Sequence, residues 1–126
     1  MAYADSSQIP PRRVPPPFER ELKVVMSPET HEDVTDFTLL VSTLAPRGGG
    51  TDLHSHEGSG ELMVVTRGHG RGWLAGREVE LKPGAAMYAP PGVEHRTLND
   101  GDEPLELMCV FVPPAPPDYI ARMMPS

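Results

Sequence analysis

The sequence predicts an all-β fold, an antiparallel sandwich or barrel of about ten short strands in one domain. Three observations predict it. Short runs rich in apolar and β-branched residues recur from residue 21 onward, separated by Gly, Pro, Asn and Asp. No stretch repeats its apolar residues at the helical period. The runs follow one another too closely to leave room for the crossover helices of a parallel sheet.

Taken in order, residues 1–20 read as a Pro-rich N-terminal arm. Five prolines between Pro10 and Pro17 hold the backbone extended and deny donors to a central sheet. The arm is either a disordered tail or a strap along the domain or a partner subunit. Residues 21–117 read as the folded domain. ELKVVM (21–26) is a short strand, SPETHED a polar loop, and TDFTLLVSTLA (35–45) a longer strand with Phe37, Leu39 and Val41 on one face. The further strand candidates are TDLHSHE (51–57), ELMVVTR (61–67), GRGWLAG (70–76), REVELK (77–82), AMYA (86–89), VEHRTLN (93–99) and LELMCVFV (105–112). Residues 118–126 form a C-terminal tail, set off by prolines and with room for one short helical turn. There is no internal repeat.

The 126 residues suit one domain, and 38% hydrophobic content with no bilayer-length apolar run predicts a soluble protein. The N-terminus lacks the apolar segment of a signal peptide, and the single Cys109 rules out an internal disulfide, so a cytoplasmic location is expected. A net charge of -7 argues against nucleic acid and against an anionic membrane surface as partners.

The chemistry concentrates between Gly48 and Gly68. His54 and His56 are two residues apart, so on an extended backbone both imidazoles face one side, a pre-aimed pair of metal ligands. Glu61 follows Gly58-Ser59-Gly60, and a hairpin there would return its carboxylate to the two rings. A third imidazole, His95, follows a Pro-Pro-Gly turn. His31 and His69 lie outside this pattern and read as surface residues, and Glu57 as a rim group.

The spacing carries a resemblance. The first stretch reads Gly48, five residues, His54-Ser55-His56, four residues, Glu61, six residues, Gly68. The second reads Gly84, five residues, Pro90-Pro91-Gly92, two residues, His95, three residues, Asn99. Position for position this is similar to both motifs of the cupin superfamily, over roughly residues 35 to 112. The resemblance implies a small jelly-roll β-barrel with an interior metal, in a homodimer, and implies His54, His56, Glu61 and His95 as its ligands. Gly48, Gly68, Gly84 and Gly92 then serve turns or close packing, and Asn99 a turn.

Three neutral imidazoles and one carboxylate make a borderline donor set, suited to one divalent Mn, Fe, Co, Ni, Cu or Zn. Four protein ligands on an ion that prefers six leave two positions for water, a chelating substrate or dioxygen. Period two places Met63 and Val65 on the side of Glu61, and Val93 and Thr97 on the side of His95, as the walls of a substrate pocket. Trp73, Met87, Tyr88, Met108, Cys109 and Phe111 are further lining candidates or plain core, and Arg71, Arg77 and Arg96 meet either a substrate carboxylate or neighbouring surface acids. Tyr88 is the one motif-adjacent group able to shuttle a proton. Together these features predict a metal-dependent enzyme acting on a small molecule. An oxygenase or dioxygenase stands slightly ahead of a non-redox isomerase, lyase or decarboxylase, and a non-catalytic ligand- or metal-binding barrel is the alternative.

Overall fold

A computed structural model describes residues 1–125. Nine strands and one helix follow in the order β1 (Arg12–Val14), β2 (Arg20–Met26), β3 (Thr38–Leu44), β4 (Gly60–Arg67), β5 (Gly70–Leu74), β6 (Arg77–Leu81), β7 (Ala86–Ala89), β8 (His95–Leu98), β9 (Leu105–Val112) and α1 (Pro117–Met123). They form a six-stranded sheet, β1-β2-β3-β9-β4-β7, and a three-stranded sheet, β6-β5-β8, with every pairing antiparallel. The hydrogen-bonded ladders do not close into one continuous barrel. The arrangement is a two-sheet jelly roll with the core between the sheets.

Strict alternation in the central strands builds that core. Glu61, Met63 and Val65 of β4 are buried, and Leu105, Leu107, Cys109 and Phe111 of β9 are buried beside them. Leu40 and Leu44 of β3 join the same cluster, so this strand buries the face opposite to Leu39. Leu81 comes from β6 of the small sheet, and Met87 and Ala89 from β7 at the edge of the large one.

The turns explain the glycine spacing. Ala75 and Gly76 both have positive φ, 52° and 79°, which is the pair of conformations a two-residue hairpin between β5 and β6 requires. Gly68 has φ 87°, and a Cβ there would stand 2.3 Å from the Pro104 carbonyl oxygen. Only glycine passes at that point, because both the backbone conformation and the space exclude a side chain. Asn99 is fully buried and ties its turn to β3, its amide donating to the carbonyls of Leu44 (3.0 Å) and Glu103 (2.7 Å) while its oxygen accepts from the Gly101 N–H (3.0 Å).

Both ends of the chain lie along the domain. β1 adds an edge strand to β2, and Lys23 Nζ donates to the Ser6 carbonyl at 2.9 Å. Residues 117–123 form two turns of helix rather than one, with Ile120 buried in the core; Ser126 lies outside the described residues. No helix among the described residues is long and apolar enough to cross a membrane.

Candidate metal centre

The segment 51–57 is not the regular strand its alternation suggests. It is a bent loop fastened to β8 at a few points, with bridges at Gly50–Leu98 and His54–His95. The His54 N–H donates to the His95 carbonyl (3.0 Å) and the His95 N–H to the His54 carbonyl (2.8 Å). A further bond runs from the Gly92 N–H to the His56 carbonyl at 2.8 Å. These bonds do what an extended strand was expected to do, setting the His54 and His95 rings 4.3 Å apart between centroids and His56 5.0 Å from His54. Proline and glycine in the 90–92 turn bring β8 to the loop; the loop itself is short of ladder partners.

Glu61, facing inward from β4, completes the group. One ligand atom from each of His54, His56, Glu61 and His95 lies within 4.8 Å of the others, a cluster that can hold a metal ion. Glu61 Oε1 is 3.0 Å from His95 Nε2 and 3.1 Å from His56 Nε2. The His56 nitrogen is buried and lacks the alignment of a hydrogen bond, so it is an orphan atom aimed at the carboxylate.

The far sides of two rings decide their tautomers. His54 Nδ1 lies 2.8 Å from the Asp52 carbonyl and His95 Nδ1 3.0 Å from the Val93 carbonyl. A carbonyl only accepts, so each Nδ1 carries the hydrogen and each Nε2 presents a lone pair to the cluster. Two lone pairs and a carboxylate cannot converge without a positive charge between them. Either a proton on His95 Nε2 or a cation in the centre satisfies them, and the donor set fits a divalent ion.

The electrostatics agree in direction. Burial works to raise the Glu61 carboxyl, yet the close imidazoles of His56 and His95, the latter hydrogen-bonded to it, hold it at about 2. His54 is lowered, first by burial. At His95 burial is outweighed by the bond to Glu61, and the net shift is upward. The shifts favour the deprotonated, metal-ready forms of Glu61 and His54, whereas at His95 a metal competes with a proton for Nε2.

The cluster opens into a cavity of about 520 Å³. Met63 and Thr97 line it as the alternation indicated. Val65 and Val93 do not. Val65 is one pleat further along β4, inside the core, and Val93 faces a separate outer recess while its carbonyl orients His95. Tyr88 is 52% exposed on the outer side of β7, opposite to the buried Met87, so it is not positioned to exchange protons with the cluster. Arg71 is paired with Asp100 (2.8 Å) and Glu78 (3.4 Å), and Arg96 lies over the Trp73 ring at 4.5 Å. Neither lines the cavity.

Among the cavity residues that the sequence pattern does not reveal, three bear directly on the chemistry. Tyr119 and Arg122 come from α1, and Arg20 from the first position of β2. Tyr119 packs edge-on against His56, 5.3 Å between centroids, and against Phe111 at 5.6 Å. Burial, followed by the Glu61 charge, pushes its hydroxyl well above the usual tyrosine range, so it stays a neutral phenol. The only signal available was amphipathic spacing in PPDYIARM, too short to read as a helix on its own.

A three-histidine, one-carboxylate cluster inside an antiparallel jelly roll defines a β-sandwich with an interior group that can hold a metal ion. The chain matches the cupin domain family over residues 40–111, more than half its length, and it belongs to that family. It is 35% identical over 75 residues to an uncharacterised protein of Methanocaldococcus jannaschii, covering 60% of each chain. It is 28% identical over 116 residues to a glucose-6-phosphate isomerase of Pyrococcus horikoshii, covering 80% of this chain and 61% of that one. The chain thus spans about three fifths of the length of these two relatives. Among solved structures it is similar to a predicted oxalate decarboxylase of Thermotoga maritima, with a TM-score of 0.78, 26% identity, and coverage of 88% of this chain and 98% of that one.

Replacing His54 or His56 by Ala is expected to weaken cobalt or zinc binding at least ~10-fold. His31→Ala is expected to change nothing, because His31 bonds only to Thr30 Oγ1 and the Tyr3 carbonyl. Metal titration monitored by calorimetry distinguishes them, and equal losses in all three would place the ion elsewhere.

Proposed function

We propose that this chain is a metal-dependent cupin enzyme acting on a small molecule that chelates through adjacent oxygens, and that its reaction is a non-redox cleavage or decarboxylation. The observation that carries this reading is the chemistry of the cavity wall. Among the described residues it offers a neutral, largely buried phenol, Tyr119, and no unengaged buried base. Glu61 is taken up by His56 and His95, and the Asp52 side chain stands at the rim with 71% exposure. An isomerisation begins by removing a proton and needs a free base. A decarboxylation begins by breaking the bond to an already ionised carboxylate, which leaves as CO2 while the electron pair forms an enolate, and needs only an acid afterwards.

A divalent cation held by His54, His56, Glu61 and His95 would supply Lewis-acid polarisation of the chelating oxygens. The chain's own residues do the rest. Leu40, Met63 and Leu107 make the wall behind the cluster apolar, so water is excluded and polar interactions there are strengthened. Tyr119 Oη donates its proton to the enolate carbon and regains one from solvent. The relatives' names, glucose-6-phosphate isomerase and predicted oxalate decarboxylase, both concern small oxygen-rich molecules. That apolar back wall also has room for dioxygen, and it supports oxygenase-type activity as the second reading.

The metal-loaded protein, offered 2-oxo acids, 3-oxo acids, diketones and catechols in D2O, is expected to release a cleaved product carrying deuterium without consuming O2. Oxygen uptake matching product formation would replace this reading with the oxygenase. Tyr119→Phe should lower kcat about 10²-fold, the scale of a lost general acid, with metal content unchanged.

The outer face of the large sheet supports a homodimer. Leu62 lies opposite both Tyr88 and Val110, and Met108 lies opposite both Val64 and Val41. Leu62, Tyr88, Met108 and Val112 are all exposed there, a contiguous apolar patch on an otherwise acidic chain. Light scattering should give twice the chain mass, falling to one chain in the Leu62→Glu, Val112→Glu variant with metal binding kept; a monomeric natural chain would refute the pairing.

A further inference from the structure

Arg20 is built into the cavity in an unusual state of charge. Its Nη1 donates to two backbone carbonyls, Phe18 at 3.0 Å and Gly50 at 3.1 Å, one from its own segment and one from the loop that leads to His54. These neutral acceptors fix the guanidinium without neutralising it. Among the described residues no carboxylate comes within ion-pairing distance of Arg20, and its Nε and Nη2 make no hydrogen bond. A half-buried arginine held by neutral groups, with free donors facing a cavity, is an anion site awaiting its anion.

A second cation borders the same cavity. Arg122 lines the same cavity from α1, its guanidinium 5.6 Å from the centre of the Tyr119 ring, with one exposed i,i+4 pairing to Asp118 at 3.6 Å. The acids that line the cavity are Glu61, whose charge belongs to the histidine cluster, and the exposed Asp52. Two arginines and two carboxylates cancel formally, so a divalent ion at the cluster leaves the cavity with a net charge near +2 in a chain of net charge -7. A monoanion chelating at the cluster would meet only part of that.

We propose that Arg20, assisted by Arg122, grips a second anionic group, so that the cavity's ligand is a small molecule with two anionic groups, an oxygen-chelating end at the cluster and a carboxylate or phosphate on its tail. This rests on the metal-dependent reading above. The two arginines act as specificity residues: they select the tail charge, while the histidine cluster selects the chelating end. Rigid placement matters here, since a guanidinium already immobilised by Phe18 and Gly50 loses little further freedom on binding.

Three 2-hydroxy acids with the same chelating end test this on the cobalt-loaded protein, read by calorimetry: lactate with a methyl tail, malate with a carboxylate, and 3-phosphoglycerate with a phosphate. At least one charged-tail probe is expected to bind about tenfold more tightly than lactate, the scale of a charge-assisted hydrogen bond. Which of malate and 3-phosphoglycerate gains more identifies the tail. Arg20→Gln should collapse that preference to about twofold or less while lowering lactate affinity far less, and Arg20→Lys should restore part of it. Arg122→Gln, which removes no backbone contact, should reduce the preference as well and decides the case if Arg20→Gln fails to take up cobalt. Equal binding of all three acids, or no binding of any to the cobalt-loaded protein, would overturn the inference. A natural chain that takes up no cobalt would instead contradict the metal-dependent reading, and this inference with it.

Discussion

Glu61 is an ionised carboxylate on the inward face of a central strand, and meeting its charge is the constraint on which the rest of the site depends. Only 6% of the residue is exposed, so water cannot supply the compensation. The chain answers with three imidazoles drawn from a loop and the opposite sheet, two of them pinned through Nδ1 so that their lone pairs converge on the same place. Those lone pairs create a second demand, for a cation. A buried carboxylate and its histidines form a stable group only as a set that includes positive charge.

The fold supplies what this arrangement needs. β4 lies between β9 and the edge strand β7 of the large sheet, so Glu61 is held from both sides by ladder bonds. β8, from the small sheet, brings His95 across the interior, and the reciprocal backbone bonds between His54 and His95 lock the loop to that strand. α1 packs against β2 beside the cavity, and together they add a neutral phenol and two arginines to its wall.

The legible part of this molecule was what depends on short-range spacing. Alternation revealed the strands from residue 60 onward, and the glycines with positive φ marked their turns. Spacing marked His54 and His56 as a pair with Glu61 near, and the resemblance to both cupin motifs joined His95 to them as a set. Period two from Glu61 puts Met63 and Val65 on one face, of which Met63 lines the cavity and Val65 lies in the core, since the rule fixes a face and not a depth. Val93 failed for a different reason: it precedes β8, where alternation does not yet apply. The proton donor was sought in Tyr88 because it adjoins a motif, whereas Tyr119 reaches the cluster through the docking of a helix only seven residues long. Arg20 was hidden likewise, at the end of a proline-rich segment whose path along the domain is a tertiary matter.

The central claim is that three imidazoles and one carboxylate, and no sulfur, hold a divalent ion. Cys109 makes this a real test, because it is buried, lines the same cavity and is near enough to Glu61 for that charge to raise its thiol further above the range that burial already sets. X-ray absorption spectroscopy of the zinc-loaded protein measures it directly. The account predicts nitrogen and oxygen neighbours at ~2.0–2.2 Å with the outer scattering of three imidazole rings. A sulfur neighbour near ~2.3 Å, or fewer than three rings, would contradict it.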